Sequence, residues 1–112
     1  EKILVTHPLA SFVHYTIEQM KEILDAGATF LEHVYNDTTP QVANPFAPSV
    51  LADGIKAIGP KYCVMSTDSG QVVNQRPVIM MRRYVQDMLD CGICYEDIQK
   101  MTIDQPSQLL GL

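Results

Sequence analysis

Apolar residues along the chain follow two patterns, and their alternation predicts the architecture. Short apolar runs at 3–5, 29–31 and 63–65 predict three strands, over 2–6, 29–35 and 62–66, buried on both faces. Elsewhere apolar residues recur at helical spacing. Ile17, Met20 and Leu24 define a helix over about 17–26, opened by the capping box Thr16-Ile17-Glu18-Gln19 and closed by Gly27. Ser49 is placed to cap a short helix carrying Val50, Leu51, Ile55 and Ile58, which Gly59-Pro60 ends. Pro77 suits the first position of the longest helix, with Met80, Met81, Tyr84, Val85, Met88 and Leu89 on its apolar face and Gly92 at its close. A further helix is predicted over about 95–102, and Pro106 opens a last short turn holding Leu109 and Leu110. The Pro-rich segment Asn36 to Pro48 and the segment Thr67 to Arg76 are the long loops, where function often resides.

The order β-α-β-α-β-α-α implies an α/β fold with a parallel sheet and right-handed crossovers. Three strands are few for such a sheet, which is normally wider and covered on both faces. The expected fold is therefore three βα units of a parallel (βα)8 TIM-type barrel, a partial barrel, followed by C-terminal helices. Residues 1–112 are expected to form a single domain, the last part of a larger barrel. Glu1 leads almost at once into a strand-like run, which predicts a piece of a longer protein. No internal repeat or low-complexity segment interrupts this pattern.

Composition narrows the partners. Hydrophobic residues make up 46% of the chain, enough for a core. The net charge is −5 and the basic residues are scattered, so a nucleic-acid footprint is not expected. No apolar run approaches the roughly 18–20 residues of a membrane span, and no signal-peptide pattern is present. Cys63, Cys91 and Cys94 are odd in number and do not read as a disulfide framework. Cys91-Gly92-Ile93-Cys94 matches C-x-x-C but follows a helix instead of opening one, a weak signal for redox chemistry or zinc. Reduced thiols in a cytoplasmic protein fit better. The expected partners are a small-molecule substrate and, against the open sheet edges, either a second copy or the rest of the barrel.

Each predicted strand runs into a group that binds metal or moves a proton. In a parallel sheet these strand ends open on one face, where ligands bind. His7 ends the first strand, and Pro8 stops further ladder pairing. Its imidazole suits Zn²⁺ first, with Mn²⁺ or Fe²⁺ as alternatives; the competing reading is an ordinary loop histidine. Asp68, within Ser66-Thr67-Asp68-Ser69-Gly70-Gln71, can ligate metal or take a proton from metal-activated water. A turn-capping aspartate competes with that reading. Glu32 and His33 are consecutive, so they point to opposite faces and only one can readily face a barrel interior. His33 joins Asp68 as a catalytic candidate, with Glu32 secondary. His14 reads as a surface or packing histidine, with a lid role as the alternative. Among Gln71, Asn74 and Arg76, the guanidinium could grip an anionic substrate, although a solvated loop charge is the simpler reading. The Met80-Met81-Met88 stripe reads as core packing. No nucleotide-cradling glycine motif is present.

Val5-Thr6-His7-Pro8, Leu31-Glu32-His33, Ser66-Thr67-Asp68-Ser69-Gly70-Gln71 and the ending Asp104-Gln105-Pro106-Ser107-Gln108-Leu109-Leu110-Gly111-Leu112 together resemble the C-terminal part of the amidohydrolase-like metal-dependent hydrolases, in particular a little-characterised cytosolic branch. The resemblance spans the whole chain in order. It implies that the three strands correspond to the sixth, seventh and eighth of the barrel. His7 would match the sixth-strand metal-binding histidine. Asp68 would match the eighth-strand aspartate that binds metal and acts on the hydrolytic water. His33 would match the Glu-His of the closer branch. The ending resembles the family's Asn-Pro-Ala-x-Leu-Leu-Gly-Leu, a structural helix, with Gln105 and Ser107 as departures. The implied activity is metal-dependent hydrolysis of an amide, ester or similar bond. The family's His-x-His on the first strand, a ligand on the fourth and a histidine on the fifth have no counterpart here, so the isolated chain is expected to be inactive. A decarboxylase or hydratase on the same barrel, and a non-catalytic α/β fragment or binding module, are the alternatives.

Overall fold

The computed structural model describes residues 1–112, and the alternation of strand and helix follows the predicted order. The strands are β1 (Leu4–Thr6), β2 (Phe30–Val34) and β3 (Cys63–Ser66). The helices are α1 (Ile17–Asp25), α2 (Pro48–Ile58), α3 (Pro77–Asp90), α4 (Tyr95–Gln99) and α5 (Gln105–Leu110). Single 3-10 turns cover Tyr35–Thr38 and Pro60–Tyr62, and a π-helical turn covers Lys100–Asp104. The strands form one parallel sheet in the order β1-β2-β3, with Thr6 beside Glu32 and His33 beside Met65. No helix is long and apolar enough to cross a membrane.

The ends of α1 are set by local chemistry. Thr16 Oγ1 accepts from the Gln19 N–H at 3.1 Å, and Gln19 Oε1 accepts from the Thr16 N–H at 2.8 Å, the reciprocal capping box. At the other end the Ala28 N–H donates to Ile23 O and the Gly27 N–H to Leu24 O. This closure requires a positive φ at residue 27, which glycine adopts at 118° without a Cβ penalty. Replacing Thr16 by Ala is expected to cost about 1 kcal/mol of stability, read as a lower urea midpoint at unchanged slope.

Three local predictions need correction. Ser49 does not cap α2. The helix starts at Pro48 with Ala47 as its N-cap, because proline already holds a helical φ and its missing N–H would be unpaired at that position anyway. Pro106 lies in the first turn of α5, which holds Leu109 and Leu110 as predicted, but that helix is not set off by a loop. The backbone runs helically from Tyr95 to Leu110, and the π turn lies across Thr102, the carbonyl that Pro106 cannot bond and would crowd. The strands are also shorter than predicted and not all are doubly covered. Leu4 and Val5 are only half-buried and Thr6 is exposed, because the core cluster of helices packs on β3 and includes no residue of β1.

Register assigns the two faces of the sheet. Leu31 pairs with Cys63 and His33 with Met65, so these four side chains share a face. Cys63 and Met65 pack with Leu51 and Ile55 of α2, Met80, Tyr84 and Met88 of α3, and Ile98 and Met101 beyond it. This is the helix-covered face and the centre of the core. Phe30, Glu32, Val34, Val64 and Ser66 share the opposite face with Leu4 and Thr6. That face is less completely covered, with Glu32 and Ser66 partly exposed and Thr6 exposed.

Candidate functional site

Parallel strands in register bring their three exits to one edge of the sheet. His7 leaves β1 with its N–H donating to Glu32 O at 2.9 Å, then turns with φ at 34°. The Ala10 N–H returns to His7 O at 3.1 Å, and Pro8 is buried beneath. The Phe12 ring meets the His7 imidazole edge-to-face, with centroids 4.8 Å apart. Asp68 leaves β3 with φ at 47° and an exposed side chain. A positive φ at a residue with a Cβ is strained, less so for aspartate than for most others. Two of the four such residues in the chain are thus the two that end the outer strands.

The exit of the central strand supplies a residue that the sequence reading missed. Beyond β2 the chain makes a 3-10 turn, and the Asn36 N–H donates to Thr67 O at 3.1 Å, tying this exit to that of β3. Asn36 Oδ1 accepts from Asn74 Nδ2 at 2.8 Å and from Thr39 Oγ1 at 3.1 Å, while Asn74 Nδ2 also donates to Gln71 Oε1 at 2.7 Å. Gln71 and Asn74 therefore stitch the two loops together. The next residue, Asp37, is only 4% exposed, and its Oδ2 is enclosed without a hydrogen-bond partner. Burial pushes its carboxyl up to about 6; the nearby His7 charge pulls it down and the Asp68 charge pushes it up. His7, Asp37 and Asp68 thus interact electrostatically at one edge. The signal for Asp37 was its place just past the second strand, but Asn-Asp-Thr-Thr-Pro reads first as turn chemistry.

Glu32 and His33 separate. His33 lies on the helix-covered face and is fully buried. A Cβ at Gly54 of α2 would lie 3.8 Å from its Cε1, and Tyr84 OH donates to its carbonyl at 3.1 Å. Neither ring nitrogen has a partner, and burial lowers its pKa from 6.5 to about 4, so the ring is neutral. Glu32 faces the other side, half-buried, where its carboxylate accepts a hydrogen bond from Thr6 Oγ1.

The remaining candidates lie around the rim. Arg76 precedes α3, exposed, and makes no ion pair; the one in the chain joins Lys100 to Asp97. His14 is exposed in a left-handed conformation. A cleft of about 210 Å³ lies beside the exits of β2 and β3, lined among others by Tyr35, Thr39, Gln41, Asn74 and Arg83.

The donor set at the edge, one imidazole and two carboxylates, suits Zn²⁺, Mn²⁺ or Fe²⁺ in type. The enclosed, unpartnered His7 Nδ1 and Asp37 Oδ2 are consistent with a polar site whose partners are incomplete. No three His, Cys, Asp or Glu side chains are gathered around one point, so these residues fit as part of a ligand set and not as a closed cage. No family model, no curated protein and no solved structure matches this chain.

Proposed function

We propose that the chain carries part of the active site of a metal-dependent hydrolase of the amidohydrolase-like type, its three βα units serving as strands six to eight of a (βα)8 barrel. The observation that carries this reading is the placement of His7 and Asp68, both in left-handed backbone, at the same edge of a parallel sheet with the buried Asp37 between their strands. Strained, charge-bearing residues at the C-terminal ends of parallel strands are where such folds place their chemistry. The open edges of β1 and β3 are where further barrel strands, or a second copy of the chain, would pair and complete the ligand set.

In this reading His7 and Asp68 would hold the cation. A bound cation would supply Lewis-acid chemistry, activating water and polarising the carbonyl of an amide or ester. The Asp68 carboxylate takes the proton of the attacking water and returns it to the leaving group. The Phe12 ring flanks the His7 imidazole edge-to-face. His33 is fully buried on the helix-covered face, opposite the face that Glu32 shares with Thr6. A decarboxylase or hydratase would use the same cation and the same two residues.

Metal titration tests the reading. In the complete protein, Zn²⁺ and Mn²⁺ binding is expected to weaken at least tenfold in His7→Ala and in Asp68→Ala, followed by competition with a chromophoric chelator. Equal metal content in the parent and both variants would refute the assignment.

A further inference from the structure

The edge of the sheet holds two enclosed polar atoms with complementary chemistry and no partner. His7 Nδ1 is one and Asp37 Oδ2 is the other. An imidazole nitrogen bearing its proton is a donor, and a carboxylate oxygen is an acceptor. Buried polar groups are nearly always paired, so two orphans on neighbouring strand exits call for an explanation. The backbone already brings their loops together: the His7 N–H is bonded to Glu32 O in β2, five residues before Asp37, and Asn36 is bonded to Thr67. The Asp37 carboxyl also senses the charge of His7.

We infer that Asp37 is the positioning residue for His7: its Oδ2 accepts a hydrogen bond from His7 Nδ1–H in the working site, fixing the tautomer that leaves Nε2 bare. A bond between them would satisfy both enclosed atoms at once. His7 Nε2 is not enclosed, so the bare lone pair faces the open side, where a cation or a proton would be taken. Histidines that ligate metals generally donate their other ring N–H to a carboxylate, which orients the ring and raises its basicity. The inference rests on the reading of His7 as the site's imidazole, but it concerns a bond within the protein. It therefore has a readout that needs no metal.

Long-range ¹H–¹⁵N spectra of the metal-free chain, at a pH where His7 is neutral, report which ring nitrogen carries the proton. The expected result is Nδ1–H for His7 in the parent, with a shift toward Nε2–H, the form favoured by an isolated imidazole, in Asp37→Ala. Asp37→Asn keeps an acceptor oxygen and is expected to retain part of the Nδ1–H form. Zn²⁺ affinity is expected to fall about 10- to 100-fold in Asp37→Ala and less in Asp37→Asn. An Nε2–H tautomer in the parent, or the same tautomer in the parent and Asp37→Ala, would overturn the pairing even if Zn²⁺ still binds. A tautomer shift without Zn²⁺ binding by the parent would support the pairing and sink the metal reading instead. Far-UV circular dichroism of each variant checks that the fold is retained.

Discussion

Lowering the pH from 7 to 4 is expected to draw about 3 kcal/mol of stability out of the chain through His33 alone, once the opposing effect of Asp37 is removed. The folded chain holds His33 neutral because burial lowers its pKa from 6.5 to about 4. The unfolded chain binds a proton at about 6.5. Between those values the unfolded state holds one more proton, so stability falls as pH falls, by about 1.4 kcal/mol per unit. The contribution is fully present above the unfolded pKa and is lost as pH drops through the folded one.

Asp37 acts in the opposite sense. Its folded pKa is raised to about 6 from 3.8, so the folded state holds the extra proton between those values, and stability falls as pH rises. The two effects overlap from about pH 4 to 6 and largely cancel in the parent. Asp37→Asn therefore exposes the acid limb of His33. His33→Leu removes the acid limb. Because neither nitrogen of His33 is bonded, the loss at pH 7 should be small. Urea denaturation of the three proteins from pH 4 to 7.5 measures this directly. Parallel stability curves for the parent and Asp37→Asn would refute the assignment of opposing groups.

The second large effect is expected at Tyr84. This side chain is fully buried in the centre of α3, 5.0 Å from the Tyr35 ring, with its hydroxyl on the His33 carbonyl. Tyr84→Ala removes a whole aromatic ring from the largest apolar cluster and should cost about 3–5 kcal/mol. For a domain whose total stability is of order 5–15 kcal/mol, that loss can unfold the chain at 37 °C. Tyr84→Phe keeps the ring and loses only the hydrogen bond, at about 1 kcal/mol. The contrast separates packing from polar pairing. Equal urea midpoints for Tyr84→Ala and the parent would show that the sheet and α3 do not share one cooperative core.

The two effects share a structural origin. β2 is the middle strand; the His33 ring lies near Gly54 of α2, and the His33 carbonyl accepts from Tyr84 of α3. His33 occupies a place in that layer where an aliphatic residue would pack without the cost of an unpaired imidazole. Its retention there has no explanation in the hydrogen bonds of this chain.

Local chemistry determined much of this protein. The apolar runs fixed the number and order of the strands, because a strand buried at its centre has no polar alternation to disguise it. The Thr16–Gln19 box and the glycines at 27 and 92 fixed where helices begin and end, since capping depends on residues within one turn. The same runs placed His7 and Asp68 at strand exits. Parity stated that Glu32 and His33 must diverge but could not say which one faces the helices. That choice belongs to the register, which sets His33 beside Met65 and beneath α2 and α3. Asp37 was hidden for the same reason. In sequence it is one polar residue in a turn-forming stretch, and only the packing of the loops after β2 and β3 encloses it. Spacing along the chain controls secondary structure and its caps. Which polar atom is shut away from water, and beside what charge, is decided only when separate strands and loops are brought against one another.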